Sequence, residues 1–217
     1  MPADPQIIQV DIVSDVVCPW CIVGFKQLEQ ALARTGFAAN LRWHPFELNP
    51  AMPDKGQNLR EHLMQKYGIS AEASVTARDR LCDLGAELGI TFTYSDDMRM
   101  VNTFRAHQLL LWAESQNRQH PLKMALFQAY FTDGLDVSRP DVLTAVAASV
   151  GLNAQDARAV LDSASLADQT RAHLQFWVQR GITGVPAMIF AGKYLVSGAQ
   201  GADAYEQILQ RCQAEAA

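Results

Sequence analysis

Strand-like sequence stands near both ends of this chain, and a long stretch of helical periodicity separates the two. That order limits the fold more than any other feature. QIIQVDIV (Gln6 to Val13) is rich in β-branched residues and predicts a strand. After the turn SDVVCP, Cys21, Phe25, Leu28 and Leu32 recur at helical spacing to about Arg34. Lys26, Gln27, Glu29 and Gln30 fill the opposite face, so this is an amphipathic helix, and Thr35-Gly36 supplies a glycine stop. ANLRWHPFEL (Ala39 to Leu48) predicts a second strand, whose Pro45 confines its end to a sheet edge or a bulge. Strand, helix and strand in quick succession predict a parallel βαβ unit.

NPAMPDKGQN then marks a boundary. From about Leu59 to Arg180 the pattern is helical. It runs through AEASVTARDRLCDLGAELG, VNTFRAHQLLLWAES, PLKMALFQAYFTDG, RPDVLTAVAASVG and ASLADQTRAHLQFWVQRG. Pro121 and Pro140 stand where helices should begin, Gly151 and Gly181 where they should end. Short strands return in AMIFAG and KYLVSG, and a last helix runs from about Ala202 to Gln213. The expected class is therefore α/β. Residues 1–52 form the first half of one domain, 53–180 an all-helical insertion, and 181–217 the second half.

Charge narrows the function. The net charge is −5 and no Lys/Arg cluster exists, which argues against nucleic acid as a partner. The longest apolar runs, such as AMIF, are too short to cross a bilayer, so no membrane association is expected. MPADPQIIQV lacks a basic region followed by a long apolar stretch, so the expected location is the cytoplasm. Four cysteines in such a chain point away from a structural disulfide framework and toward catalysis, redox sensing or metal binding.

The chemistry concentrates in DVVCPWCIVGF (Asp15 to Phe25). Cys18 falls at the N-cap or first turn of the predicted helix, and Pro19 suits its first position because that residue needs no N–H partner. Partial positive charge and free amide donors at a helix N-terminus favour a thiolate. Cys18 is therefore expected to be exposed and to ionise below the ordinary value of about 8.5. Cys21, one turn on, faces inward with Phe25 and Leu28. An exposed thiol that attacks and a shielded one that resolves are what dithiol exchange needs. By itself the spacing also fits two core cysteines or half of a zinc site. Zinc, however, needs four ligands and no second close pair exists, so no metal is expected. GITGVPAMIF (Gly181 to Phe190) places Val185-Pro186 at the start of a strand, where the plain reading is an ordinary trans proline.

SDVVCPWC (Ser14 to Cys21), RWHPFELNP (Arg42 to Pro50), NTFRAHQLL (Asn102 to Leu110), FTDGLDVS (Phe131 to Ser138), GVPAMIF (Gly184 to Phe190) and VSGAQ (Val196 to Gln200) occur in order across almost the whole chain. Together they resemble the DsbA-like branch of the thioredoxin superfamily, and most closely its FrnE-type proteins. The resemblance implies a thioredoxin fold (βαβ…ββα) interrupted by an all-helical insertion domain, with thiol–disulfide oxidoreductase or disulfide isomerase activity. It implies Cys18 as nucleophile, Cys21 as resolving thiol and Pro186 as a cis-proline facing them. The backbone of Val185 would pair with the substrate's cysteine-containing strand. Trp20, Phe46, Asn102 and His107 would line the substrate site. No cofactor is implied. The implied partners are disulfide-containing or unfolded proteins, with glutathione as a small co-substrate, and the chain would act as monomer or homodimer.

One departure bears on direction. Pro19-Trp20 replaces the Pro-His of DsbA itself, so the couple is expected to be less oxidising than that protein's, at about −120 mV. Two other readings share the fold or the surface. Kappa-class glutathione transferases and 2-hydroxychromene-2-carboxylate isomerases carry a serine where this chain has Cys18, and SGAQGAD (Ser197 to Asp203) only loosely matches their Gly-x-Asp turn. A non-catalytic chaperone would instead use the apolar residues Val16, Val17, Trp20, Phe46 and Phe104. His44 is expected to be a hydrogen-bonded structural histidine, and Cys82 and Cys212 are expected to be inert core thiols.

Overall fold

The structure is a computed structural model that describes residues 7–216; Gln6, where the expected first strand begins, lies outside them. Strand β1 (Ile8–Ser14) leads through a short turn into helix α1 (Pro19–Thr35), which leads into strand β2 (Ala39–Pro45). Pro19 opens α1, and Gly36 closes it in the left-handed region at φ 68°, its N–H donating to the Leu32 carbonyl at 2.9 Å. β2 pairs with β1 in parallel, Ile8 opposite Ala39 through Ser14 opposite Pro45. The strand ends at Pro45 and not at Leu48, because the proline has no N–H to continue a ladder.

Two compact units result: Met1–Leu48 together with His173–Ala217, and Asn49–Ala172. In the second unit, Gln57–Asn58 (β3) and Arg99–Met100 (β4) form an antiparallel ladder too short for any period to reveal. Helices α2 (Leu59–Tyr67), α3 (Ala71–Glu87), α4 (Phe104–Ser115), α5 (Gln119–Phe127), α6 (Pro140–Ser149) and α7 (Ala154–Ser163) follow the expected helical stretches. α5 runs into a single π-helical turn at Gln128–Thr132. Pro140 is the first residue of its helix, whereas Pro121 is the third of α5. Both positions are tolerated because first-turn N–H groups have no partner within the helix. Leu109, Leu122, Leu126, Phe127 and Leu143 are fully buried, each worth roughly 2 kcal/mol of transfer free energy. The unit's boundary falls inside α8 (Ala167–Gln179), so the last turns of that helix group with the sheet.

β5 (Ala187–Phe190), β6 (Tyr194–Ser197) and α9 (Ala202–Ala216) complete the first unit. Its sheet has the order β2-β1-β5-β6, with β5 antiparallel to both neighbours. This is the expected βαβ…ββα arrangement. On one face Val10, Ile12, Trp43, Met188 and Phe190 meet α1 and α9, through contacts such as Phe25 on Trp43 at 5.3 Å and Phe190 on Tyr205 at 6.0 Å. Arg34 on α1 reaches Asp203 on α9 at 2.8 Å. On the opposite face Val13, Phe46, Ile182 and Ala187 form a cluster against Leu48, Trp177, Val185 and Ile189. Among the described residues no helix is long and apolar enough to cross a membrane.

Candidate active site at the start of the first helix

The turn after β1 delivers Cys18 in extended conformation (φ −93°, ψ 112°) as the N-cap of α1, and its carbonyl accepts the Cys21 N–H at 3.1 Å. The Cys18 Sγ donates to the Val185 carbonyl at 3.6 Å, across the start of β5. The Val185–Pro186 bond is cis, where the sequence taken alone favoured trans. Cys21 is fully buried behind Cys18, and both are free thiols.

Two expectations about Cys18 are corrected. The residue is only 3% exposed, because its sulfur is turned toward the Val185 carbonyl and its neighbours Val16 and Val17 are buried. Its thiol lies well above the ordinary value, not below it. The hydrogen bond with Cys21 is the largest cause. Burial and the Cys21 charge follow, and the Asp15 charge acts in the same direction. A donation from the Cys21 N–H works the other way, so the helix terminus contributes but loses to burial and the second sulfur. None of these groups is a cation.

Around the thiols stand three residues the sequence reading did not single out. Asp15 is buried, and its carboxylate accepts the Leu48 N–H at 2.8 Å, tying the turn to the segment after β2. Tyr205 on α9 is fully buried and its hydroxyl donates to the Gly198 carbonyl at 3.1 Å. Burial pushes that phenol up to about 12, with Cys21 acting in the same direction. Gly24 supplies the space: a Cβ there would lie 3.2 Å from Pro186 Cγ, 3.3 Å from Tyr205 Oη and 3.4 Å from Met188 Cε. A tyrosine instead of phenylalanine on the core-facing stripe of α9 was the available signal, since a buried hydroxyl needs an acceptor.

A family model described as the DSBA-like thioredoxin domain matches residues 9–210. The chain belongs to that family. It is similar to a probable DsbA oxidoreductase from Streptomyces coelicolor, at 34% identity and a TM-score of 0.89, over 96% of this chain and 91% of that one. It shares its fold with a 2-hydroxychromene-2-carboxylate isomerase, at 18% identity and a TM-score of 0.70, over 96% of this chain and 98% of that one. It also shares it with the cytosolic disulfide reductase DsbM from Pseudomonas aeruginosa, at 16% identity and a TM-score of 0.64, over 96% and 100%.

In this DSBA-like chain the remaining expected site residues fall into two groups. Cys18, Cys21, Val185 and Pro186 come together, and Trp20 stands beside them with 47% of its surface exposed. Phe46 is buried in the cluster against which Val185 packs, so it supports that segment from beneath and is not an open wall. Asn102 and His107 belong to the Asn49–Ala172 unit. The Asn102 amide donates to the Met52 carbonyl and accepts the Phe104 N–H, both at 3.0 Å, and His107 is buried in α4. His44 meets Asp11 at 2.7 Å and packs its ring on Trp177 at 4.6 Å. Cys212 is buried, while Cys82 is half-buried with its Sγ 3.7 Å from the Phe92 carbonyl. Among the described residues no group of three or more His, Cys, Asp or Glu side chains is placed to hold a metal.

Proposed function

We propose that the protein is a thiol–disulfide oxidoreductase working through Cys18 and Cys21, with protein disulfides, and glutathione mixed disulfides among them, as substrates. The observation that carries this reading is the Cys18 thiol at a helix N-terminus, 3.6 Å from the Val185 carbonyl and backed by a buried second thiol. In the reducing direction the Cys18 thiolate attacks one substrate sulfur, forming a mixed disulfide and releasing the other sulfur as a thiol. The Cys21 thiolate then attacks the Cys18 sulfur, forming the Cys18–Cys21 disulfide and releasing the second substrate thiol. Two electrons and two protons pass to the substrate, and the reverse sequence oxidises it. The Val185 backbone pairs with the substrate strand beside its cysteine, and the exposed Trp20 offers an apolar contact.

The ionisation of the site bears on direction. A strong oxidant of this family stabilises its reduced form. Here burial and the second sulfur push Cys18 upward and outweigh the help its thiolate receives from the Cys21 N–H. The proposed poise is therefore more reducing than that of DsbA, as suits a cytoplasmic exchanger. A glutathione redox titration, read by alkylation and mass and run beside Cys18→Ser, tests both parts. The expected result is a reversible two-electron transition below about −120 mV, absent from the variant. A protein whose thiols show no transition would overturn the function. A transition above that potential would overturn the direction alone.

A further inference from the structure

VSGAQ (Val196 to Gln200) carries part of the family resemblance and has no task in the exchange reaction. In the structure it spans the end of β6 and the turn toward α9, and three bonds hold that turn as far as Gly201. The Gly198 N–H donates to the Pro186 carbonyl at 2.7 Å. The Gly198 carbonyl accepts from the Tyr205 hydroxyl at 3.1 Å. The Gly201 N–H donates to the Gln27 side chain on α1 at 3.0 Å. Gly198 lies at φ 80° and Gly201 at φ 90°, conformations that glycine adopts without steric cost.

These bonds join end to end. The Cys18 sulfur donates to Val185, the next residue's carbonyl accepts from Gly198, and Gly198 accepts from Tyr205. We infer that Tyr205 is a positioning residue for the exchange reaction: through Gly198 its hydroxyl holds the Val185–Pro186 segment at the distance Cys18 and a substrate strand require. The inference rests on the function proposed above. A purely space-filling ring would pack on Phe190 equally well without the hydroxyl, which is costly to bury unless it is bonded. Gly24 fits the same account, since the space its missing side chain leaves is occupied by Pro186 and the Tyr205 hydroxyl together.

Tyr205→Phe keeps the ring and removes the last link, together with the hydroxyl's bond to the Gln200 backbone. With an oxidised single-disulfide peptide as substrate, the KM of Tyr205→Phe should rise about fivefold, the factor one lost hydrogen bond implies, with kcat within twofold. The glutathione equilibrium of Cys18–Cys21 should stay where it is in the unaltered protein. A lowered melting temperature with KM and kcat both unchanged would make the hydroxyl merely structural and overturn the inference. Gly24→Ala presses on the same hydroxyl from the other side, and it should raise the same KM while the hydroxyl remains. A KM unmoved in both variants also overturns the inference. Absence of any dithiol transition in the unaltered protein overturns the function itself, and the titration separates the two failures.

Discussion

Asp15 and Leu48 are joined by a hydrogen bond of 2.8 Å from the Leu48 amide to a buried carboxylate, three residues ahead of Cys18. The carboxylate thus has two effects. It anchors the turn that carries Cys18 to the segment after β2, and its charge opposes ionisation of Cys18. Asparagine keeps an oxygen to accept the Leu48 N–H and removes the charge. Asp15→Asn should therefore lower the Cys18 thiol, because less negative charge opposes the thiolate. The pH dependence of iodoacetamide alkylation reads this directly. A midpoint that stays in place or moves upward would show that Asp15 acts as an anchor only.

Tyr205 makes alkaline stability a second test. Its folded value of about 12 exceeds the ordinary phenol value of 10.0, so the unfolded state loses its proton first. Stability from this group is complete below the unfolded value and is lost as pH rises through the folded one. Two units correspond to roughly 3 kcal/mol. Urea unfolding at intervals between pH 9 and 12.5 should show the unaltered protein losing stability more steeply than Tyr205→Phe. Parallel curves for the two proteins would refute the assignment.

The architecture was legible where a pattern ran long enough to show its period. The amphipathic stripe from Cys21 to Leu32, the glycine at 36 and the proline at 140 all act locally, and the elements they predict are present. The ladder of Gln57–Asn58 with Arg99–Met100 was not legible, because two residues carry no alternation. In the candidate site, the pair CPWC stood out by its spacing, and the proline at 186 only through the family resemblance. The burial of Cys18 did not, since the group that turns its sulfur inward, the Val185 carbonyl, comes from the far end of the chain. Asp15, Gly24 and Tyr205 were passed over for the same reason: their partners Leu48, Pro186 and Gly198 are neighbours only after folding.

Gly24 sits inside α1, where alanine would ordinarily favour the helix by up to about 1 kcal/mol. The added methyl meets Pro186 Cγ at 3.2 Å and Tyr205 Oη at 3.3 Å, both held by other bonds, and only the Met188 methyl at 3.4 Å is free to move. Overpacking of this kind costs about 1–3 kcal/mol. The crowding should win, and Gly24→Ala should unfold about 1 kcal/mol more easily. Denaturant unfolding gives the value, and a more stable variant would mean that Pro186 and Tyr205 yield without penalty.

Trp20 is the exception among the candidate site residues, because it lies on the surface beside two buried thiols. An indole 47% exposed contributes little to folding, so Trp20→Ala should leave the unfolding free energy within about 0.5 kcal/mol. Its apolar area remains for a partner to cover. An unfolded protein disulfide reaches across such a surface, whereas oxidised glutathione needs only the sulfur and the Val185 edge. Under the proposed function, Trp20→Ala should lower kcat/KM for a disulfide-containing unfolded protein about tenfold, as loss of a well-packed aromatic contact does. The value for oxidised glutathione should stay within twofold. Equal losses on both substrates would mean that the indole shapes the thiols themselves, and no loss on either would remove it from the substrate site.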